Sequence, residues 1–244
     1  MLIFCRLSAE NIRTVHIFVA LCDNVNQGIV PVPAFMGNGK DTKQNLYWGL
    51  AGGVKTYFKN SKEWRLIKTI RKPKNEILER VIFKHKTSNV YLLADAYDGA
   101  EIKQTIIDFF KASSGDFSTT IKIDSLKINF GGNSNLISYI GHDGLMDFNL
   151  DINFKQNNTK KRDAIILACI SKRFFAFNLK QTGANPLVWT TGLMAPEAYT
   201  LKWALDGWVL NESDKQIRER AAQAYNKYQK CGIKASRNLL VTGW

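Results

Sequence analysis

The chain has 244 residues, of which 45% are hydrophobic and 23% are charged, and its formal net charge is +13. These values fit a globular chain with one sizeable core and exclude a wholly disordered polypeptide. No apolar run reaches the roughly 18–20 residues that span a bilayer, so we expect no membrane span.

The N-terminal residues, MLIFCRLSAEN, hold an apolar patch that is too short for an intact secretion signal, which needs an apolar region of roughly 7–15 residues. We interpret residues 1–14 as an N-terminal extension or as the remnant of a trimmed signal segment. The protein is then expected to be cytoplasmic, or exported if such a signal was present. The whole chain, 1–244, is expected to form a single α/β domain.

Apolar segments alternate with amphipathic ones along the chain. In chain order, we predict a strand over 15–22, a helix over 46–58, a strand over 64–70, an element of ambiguous type over 77–83, a strand over 90–94, a helix over 100–111 and a hairpin within 116–131. There follow strands over 136–140, 164–168 and 187–189, a helix from Pro196 that is closed by Gly207, and a last helix that begins with a capping box at Ser213. This alternation predicts an α/β fold with a mostly parallel central sheet and helices on both faces.

Polar residues stand where several of these apolar strands end. In open parallel sheets, ligands bind beyond the carboxyl ends of the strands, so these residues are expected to gather at one edge. His142 and Cys169 follow two successive predicted strands, and the segment between them is long enough for a crossover. The other candidate pocket residues at this edge are Asp23, Asp95, Asp143, Ser171 and Thr190.

A histidine beside a thiol indicates nucleophilic catalysis. A cysteine attacks as its thiolate, and a nearby imidazole can take the thiol proton. Lys172 and Arg173 follow Cys169 closely and are expected to favour the thiolate. Glycine close to His142, as at Gly144, lets a substrate backbone approach and leaves N–H groups for an oxyanion.

The two segments that carry this pair resemble a known family. An apolar strand ending in a His-Gly element (136–144) and an apolar strand ending in Ala-Cys-x-Ser (164–171) are similar to the caspase-like cysteine peptidases of clan CD. That class includes caspases, gingipains, clostripain-like and separase-related enzymes. The resemblance implies a three-layer α/β architecture, a peptide or protein substrate, and no metal or other cofactor. It also implies His142 as general base and acid, Cys169 as nucleophile, and backbone N–H groups near Gly144 and at Cys169 as oxyanion donors.

Two other functions stay open on the same residues. The family usually has glycine directly after the histidine, and Asp143 at that position favours a catalytically inactive caspase-like binding protein. Asp23, Asp95 and the pair His142-Asp143 also suit a metal-dependent phosphoesterase, because carboxylates and imidazoles bind divalent ions. That enzyme would need further histidine ligands, for which only His16 and His85 remain.

Charge and cysteine spacing restrict the remaining partner classes. The basic clusters at 68–74 and 160–162 lack the interleaved aromatic residues of a single-strand-binding surface, and most lysines are scattered singly. This distribution favours surface solvation over nucleic-acid binding. The four cysteines contain no C-x-x-C pair, so the sequence predicts neither a zinc ribbon nor a thioredoxin-type site. No particular oligomeric state is indicated.

Overall fold

A computed structural model describes residues 12–244 of the chain. Residues 1–11, and with them most of the predicted N-terminal extension, lie outside the described residues. The extension was expected to reach residue 14, but the first strand begins at Arg13. A mixed sheet of eight strands forms the centre, and helices pack on both of its faces. The predicted fold class, α/β with a mostly parallel central sheet, is therefore confirmed.

The central sheet is parallel in its middle and antiparallel at both sides. Its strands are β1 (Arg13–Ala20), β2 (Trp64–Arg71), β3 (Ile77–His85), β4 (Val90–Tyr97), β7 (Leu136–Ile140), β8 (Asp163–Leu167), β9 (Asn185–Thr190) and β10 (Leu240–Val241). They lie in the order β10-β9-β8-β7-β1-β4-β3-β2. Strands β4, β1, β7, β8 and β9 run parallel, so their carboxyl ends share one edge. Strands β2, β3 and β10 pair antiparallel with their neighbours.

Within residues 12–244, six helices and one hairpin cover the sheet. The helices are α1 (Val54–Asn60), α2 (Ile102–Ser114), α3 (Ser171–Thr182), α4 (Ala198–Val209), α5 (Asp214–Gln229) and α6 (Ile233–Leu239), and the hairpin is formed by β5 (Ser118–Ile123) and β6 (Leu126–Gly131). Helices α1, α4 and α5 share one apolar core with the sheet, and α2 and α3 share the core on the opposite face. The result is a three-layer α/β architecture.

Strand β1 explains why both faces of the sheet are covered. Successive side chains of a strand point to opposite faces. Val15, Ile17 and Val19 join the core beneath α1, α4 and α5, whereas Phe18 and Ala20 join the core beneath α2 and α3. Because both sets are apolar and fully buried, burial of only one face would leave a large apolar surface in water.

Several predicted elements differ from those observed. The helix predicted over 46–58 begins only at Val54, because the preceding segment folds into turns that bring backbone groups close together. At Gly49, a Cβ atom would lie 2.1 Å from the carbonyl oxygen of Lys43, so the turn requires glycine. Gly207 lies inside α4 instead of closing it. The ambiguous segment 77–83 is a strand, and α3 was not predicted.

Candidate active site at the carboxyl edge of the sheet

Cys169 lies on a sharp turn between β8 and α3. Strand β8 ends at Leu167 and α3 begins at Ser171, which leaves only three residues for the change of direction. Cys169 is the middle one of the three. The next residue, Ile170, has φ +49°, in the left-handed region that a β-branched residue rarely adopts. The N–H of Ile170 donates to the carbonyl oxygen of Gly192 at 2.8 Å, which helps to hold this strained backbone. Strained backbone at a β-branched residue marks this turn as a candidate functional position.

Two hydroxyl groups tie this turn to the neighbouring strand. Ser171 Oγ donates to the carbonyl oxygen of Ile166 at 3.0 Å and accepts the N–H of Thr190 at 3.0 Å. Thr190 Oγ1 accepts the N–H of Ser171 at 3.1 Å and donates to the carbonyl oxygen of Ala168. Both side chains are fully buried. Ser171 and Thr190, predicted as pocket residues, therefore fix the position of Cys169 from inside the protein and do not line a pocket with it.

His142 follows β7 through a glycine that the packing requires. Gly141 has φ +154°, and a Cβ atom there would lie 3.0 Å from the carbonyl oxygen of Ala20 and 3.2 Å from the hydroxyl oxygen of Tyr139. A larger residue would push the chain away from β1 at this edge. The glycine thus lets His142 emerge directly beside the end of the central strand.

Asp147 fixes the imidazole of His142. Its Oδ2 atom lies 2.6 Å from His142 Nε2 and also accepts the N–H of Gly28 at 3.3 Å. An ionised carboxylate can only accept, so Nε2 carries the proton of the neutral ring and Nδ1 keeps a lone pair. Nδ1 makes no hydrogen bond with residues 12–244. Asp147 was not among the predicted site residues, and its only signal in the sequence is a carboxylate five residues after a histidine.

The structure brings His142 and Cys169 into one groove. The groove has a volume of about 310 Å³. Its other lining residues are Gly28, Ile29, Val30, Tyr47, Gly141, Met146, Leu193, Met194 and Pro196. Cys169 is half-buried, and its thiol accepts the N–H of Met194 at 3.4 Å and donates to the carbonyl oxygen of Met194 at 3.7 Å. The imidazole and the thiol therefore line one groove, without a hydrogen bond between them among the described residues.

The two predicted oxyanion donors differ in their availability. The N–H of Gly144 donates to the carbonyl oxygen of His142 at 3.1 Å, so it is already engaged in a turn. That carbonyl also accepts the hydroxyl of Tyr139 at 2.6 Å. The backbone N–H of Cys169 makes no hydrogen bond within the part of the chain that the structure describes. Of the two, only the Cys169 N–H can donate to an oxyanion without breaking an existing hydrogen bond.

Asp143 is buried behind the groove and does not line it. Its Oδ1 accepts the N–H of Leu145 at 3.0 Å and so caps the short 3₁₀ turn Gly144–Met146. Its Oδ2 has no hydrogen-bond partner among the described residues. Burial raises the pKa of Asp143 to about 7, and the nearby charge of Asp147 acts in the same direction. The carboxyl group is therefore held between its neutral and ionised forms near neutral pH.

Asp23 organises the loop that follows β1. Its Oδ1 accepts the N–H groups of Val25 at 2.9 Å and Asn26 at 3.2 Å, and its Oδ2 accepts the side-chain amide of Asn26. These bonds turn the chain directly after the strand. The predicted pocket residue Asp23 thus stabilises a loop and does not line the groove of His142 and Cys169.

Asp95 was expected to close a strand, and that expectation is wrong because β4 continues to Tyr97. Its carboxylate is fully buried and receives two hydrogen bonds from Arg80, at 2.6 and 2.7 Å, with Nε2 of His16 at 3.1 Å. Burial alone would raise the pKa of Asp95, but the hydrogen bonds from Arg80 and His16 hold it below its ordinary value. Asp95 belongs to the interior of the sheet.

The residues of the phosphoesterase hypothesis lie in separate environments. Within residues 12–244, no three His, Cys, Asp or Glu side chains are grouped so that they could hold a metal ion. His16 is hydrogen-bonded to Asp95, and Nδ1 of His85 accepts the N–H of Ser88 at 3.1 Å.

Among residues 12–244, no helix combines the length and apolar character that a membrane crossing requires.

Comparison with known proteins identifies no relative. No protein-family model matches the chain, and no match was found among curated proteins or solved structures. The functional proposal therefore depends on the groove and on the residues that build it.

Proposed function

We propose that the protein is a caspase-like cysteine peptidase that hydrolyses peptide bonds with His142 and Cys169. The observation that carries the proposal is the groove that both residues line, at the carboxyl ends of two adjacent parallel strands. Asp147 supplies a third group, since it holds the ring so that Nδ1 stays available as a base. A nucleophile, a base and a group that orients the base form the usual set for nucleophilic catalysis.

The reaction begins when Cys169 Sγ attacks the carbonyl carbon of the scissile bond and its proton passes to Nδ1 of His142. The new C–S bond sends the carbonyl π electrons to oxygen, where the N–H of Cys169 donates a hydrogen bond. His142 then gives the proton to the leaving nitrogen, the C–N bond breaks, and a thioester remains. A water molecule, deprotonated by His142, attacks the thioester, which releases the carboxylic acid and restores the thiol.

The dipole of α3 is the positive feature that the proposal assigns to the thiolate. Cys169 lies two residues before this helix of 12 residues, whose positive end favours negative charge, whereas the N–H of Ser171 itself is already bonded to Thr190 Oγ1. The cations that the sequence suggested contact other groups. Lys172 lies against the ring of Trp189, and Arg173 lies against the ring of Phe174. Neither cation lines the groove, so the helix end replaces them in the proposal.

A non-catalytic binding function is the second candidate. Two observations favour it: the N–H of Gly144 is engaged within its own turn, and Asp143 stands buried where the family usually has glycine. The first removes one donor that could reach an oxyanion. This alternative predicts that peptides bind in the groove and dissociate from it uncleaved.

The proposal is tested by incubating the purified chain with a mixed peptide library and identifying new termini by mass spectrometry. We expect cleavage by the wild type and none by Cys169→Ala. Cys231→Ala is the matched control, because this exposed cysteine lies outside the groove and its loss should leave the rate unchanged. Cleavage that survives in Cys169→Ala would overturn the proposal. Binding without cleavage by the wild type would favour the non-catalytic alternative.

A further inference from the structure

The groove beside Cys169 is walled by uncharged side chains. Of the residues that the structure describes, no Asp, Glu, Lys or Arg lines it. Several of its apolar side chains are exposed to solvent: Val30 by 87%, Leu193 by 72% and Met146 by 42%. They come from three separate segments, which follow β1, β7 and β9. Apolar groups from three loops thus converge on one reactive edge and remain in water.

The lack of charge in this groove contrasts with the rest of the molecule. The chain carries 34 basic and 21 acidic residues, and another cavity, of about 610 Å³, is lined by Lys62, Glu63, Glu197 and Lys202. A charged side chain entering the groove of Cys169 would lose hydration and gain no opposite charge from its walls. Asp147, whose carboxylate contacts the lining residue His142, is already bonded to His142 and to the N–H of Gly28.

We propose that this groove takes an apolar side chain of a peptide substrate, namely that of the residue whose carbonyl carbon Cys169 attacks. This inference rests on the proposed peptidase function. The side chain of that residue is the substrate group closest to the sulfur, because a single bond joins its Cα to the attacked carbon. Ile29, Met146, Leu193 and Met194 line the groove together with Cys169, so an apolar group leaves water when it enters.

Leu193 is the specificity-determining residue of this surface. It lies in the segment after β9, directly before Met194, whose N–H donates to the Cys169 sulfur. Because Leu193 is largely exposed, its substitution changes the wall of the groove and leaves the buried core intact. A carboxylate at this position would give the groove the opposite charge that a basic substrate side chain needs.

The test uses three peptidyl acyloxymethyl ketones that are identical except for leucine, arginine or aspartate next to the ketone. The Cys169 sulfur displaces the carboxylate leaving group, so a C–S bond forms, a C–O bond breaks, and His142 keeps the thiol proton. We expect the leucine probe to label Cys169 at least about 10-fold faster than either charged probe. Equal or faster labelling by a charged probe would overturn the inference and leave the peptidase proposal intact.

Leu193→Glu tests the assigned residue. We expect this variant to lose about 10-fold in the rate for the leucine probe and to gain in the rate for the arginine probe. Leu210→Glu is the matched control, since Leu210 is 64% exposed and lies outside the groove, and its rates should equal those of the wild type. Unchanged rates in Leu193→Glu would remove Leu193 from the assignment.

A binding measurement separates failure of this inference from failure of the proposed function. If no probe labels the wild type, the peptidase proposal fails. Titration of Cys169→Ala with the matching peptide amides then tests whether the groove prefers an apolar side chain. Tighter binding of the leucine peptide than of the arginine and aspartate peptides would support an apolar groove in a non-catalytic protein. Equal binding of the three peptides, or no binding at all, would overturn it.

Discussion

At the scale of single residues, one carboxylate decides which nitrogen of the neutral His142 ring carries the proton. Asp147 accepts from Nε2 at 2.6 Å, so the lone pair of the neutral ring stays on Nδ1. Without that acceptor, the ring would be free to rotate or to change tautomer, and the base would be lost for part of the time. The carboxylate acts through His142, so it is a positioning residue.

Asp147→Asn is expected to lower the rate of peptide cleavage by roughly 10²- to 10⁴-fold, because an amide can donate to Nε2 and so favour the wrong tautomer. The melting temperature should change little, since Asp147 is partly exposed. Asp147→Glu should recover part of the rate. Asp151→Asn, at an exposed position of the following loop, is the control that should behave as the wild type. A cleavage rate unaffected by Asp147→Asn would remove this role.

Asp143 makes the stability of the fold depend on pH. Burial raises its pKa to about 7, whereas the carboxyl of the unfolded chain has its ordinary pKa of 3.8. Between these values the unfolded carboxyl is ionised and the folded one keeps its proton, so folding takes up a proton and stability falls as the pH rises. Above about pH 7, the buried carboxylate is charged with one oxygen unpaired.

Asp143→Asn should therefore gain stability over the wild type as the pH increases from 5 to 8. The expected change in the difference between their free energies of unfolding is roughly 2–4 kcal/mol. Urea unfolding at both pH values measures this difference directly. Asp151→Asn should show no such change, because its side chain is exposed. A constant difference between Asp143→Asn and the wild type would show that the buried carboxyl does not titrate in this range.

At the scale of elements, the turn that presents Cys169 combines strain with support. Ile170 has φ +49°, and the cost of the left-handed conformation for a residue with a Cβ atom is about 1–2 kcal/mol. Bonds from Ser171 and Thr190 hold the ends of the turn. The thiol is thus fixed at the point where β8 changes into α3.

Replacement of Ile170 by glycine and by alanine separates this strain from the loss of the side chain. Glycine adopts positive φ freely, so Ile170→Gly should be more stable than Ile170→Ala by about 1 kcal/mol in urea unfolding. At Phe177, an exposed position inside α3, the order should be the reverse, with alanine more stable than glycine by a similar amount. If alanine is also the more stable residue at position 170, the turn is not strained in solution.

The elements that position the site could be predicted because their apolar runs are short and end in polar residues. Strand β7 was predicted with its observed bounds, and β8 within one residue at each end. Helix α3 was missed because aromatic residues lie on both its buried and its exposed sides: Phe175 is fully buried, whereas Phe177 is 75% exposed. The helix predicted from residue 46 failed because close backbone contacts at its glycines override the apolar pattern.

The roles of polar residues were harder to predict than their positions, because those roles depend on partners that are distant in sequence. Asp95 interrupts an apolar run, which suggests a strand end. The structure shows that Arg80, delivered by the antiparallel strand β3, neutralises it inside the sheet. Asp147 meets His142 only because the turn Gly144–Met146 folds back, a detail that neither periodicity nor composition contains.

At the scale of the whole molecule, the cluster of Asp95, Arg80 and His16 joins three strands. These residues lie on β4, β3 and β1, and their polar groups are almost completely buried. Burial lowers the pKa of His16, so the charged pair is Asp95 and Arg80, and removal of either one leaves a buried charge without its partner. The cluster therefore makes the antiparallel strand β3 depend on the parallel centre of the sheet.

Asp95→Asn is expected to lower the free energy of unfolding by about 3–5 kcal/mol. The double variant Arg80→Met/Asp95→Leu should lose less than this single variant, because it leaves no unpaired charge. Glu76→Gln, which removes a partly exposed pair with Lys74, should change stability by less than about 1 kcal/mol. Urea unfolding followed by tryptophan fluorescence measures all three. A loss in Asp95→Asn as small as that in Glu76→Gln would contradict the account of the cluster.

The most direct measurement for the central claim is the alkylation rate of each cysteine by iodoacetamide at pH 7, read from its peptide by mass spectrometry. If His142 takes the proton of the Cys169 thiol, Cys169 reacts at least about 10-fold faster than the more exposed Cys231. His142→Ala should abolish that advantage and leave Cys231 unchanged. Buried Cys22, whose pKa burial raises to about 11, should stay unreactive. A Cys169 rate that is no faster than that of Cys231, or that is the same with and without His142, would contradict the claim.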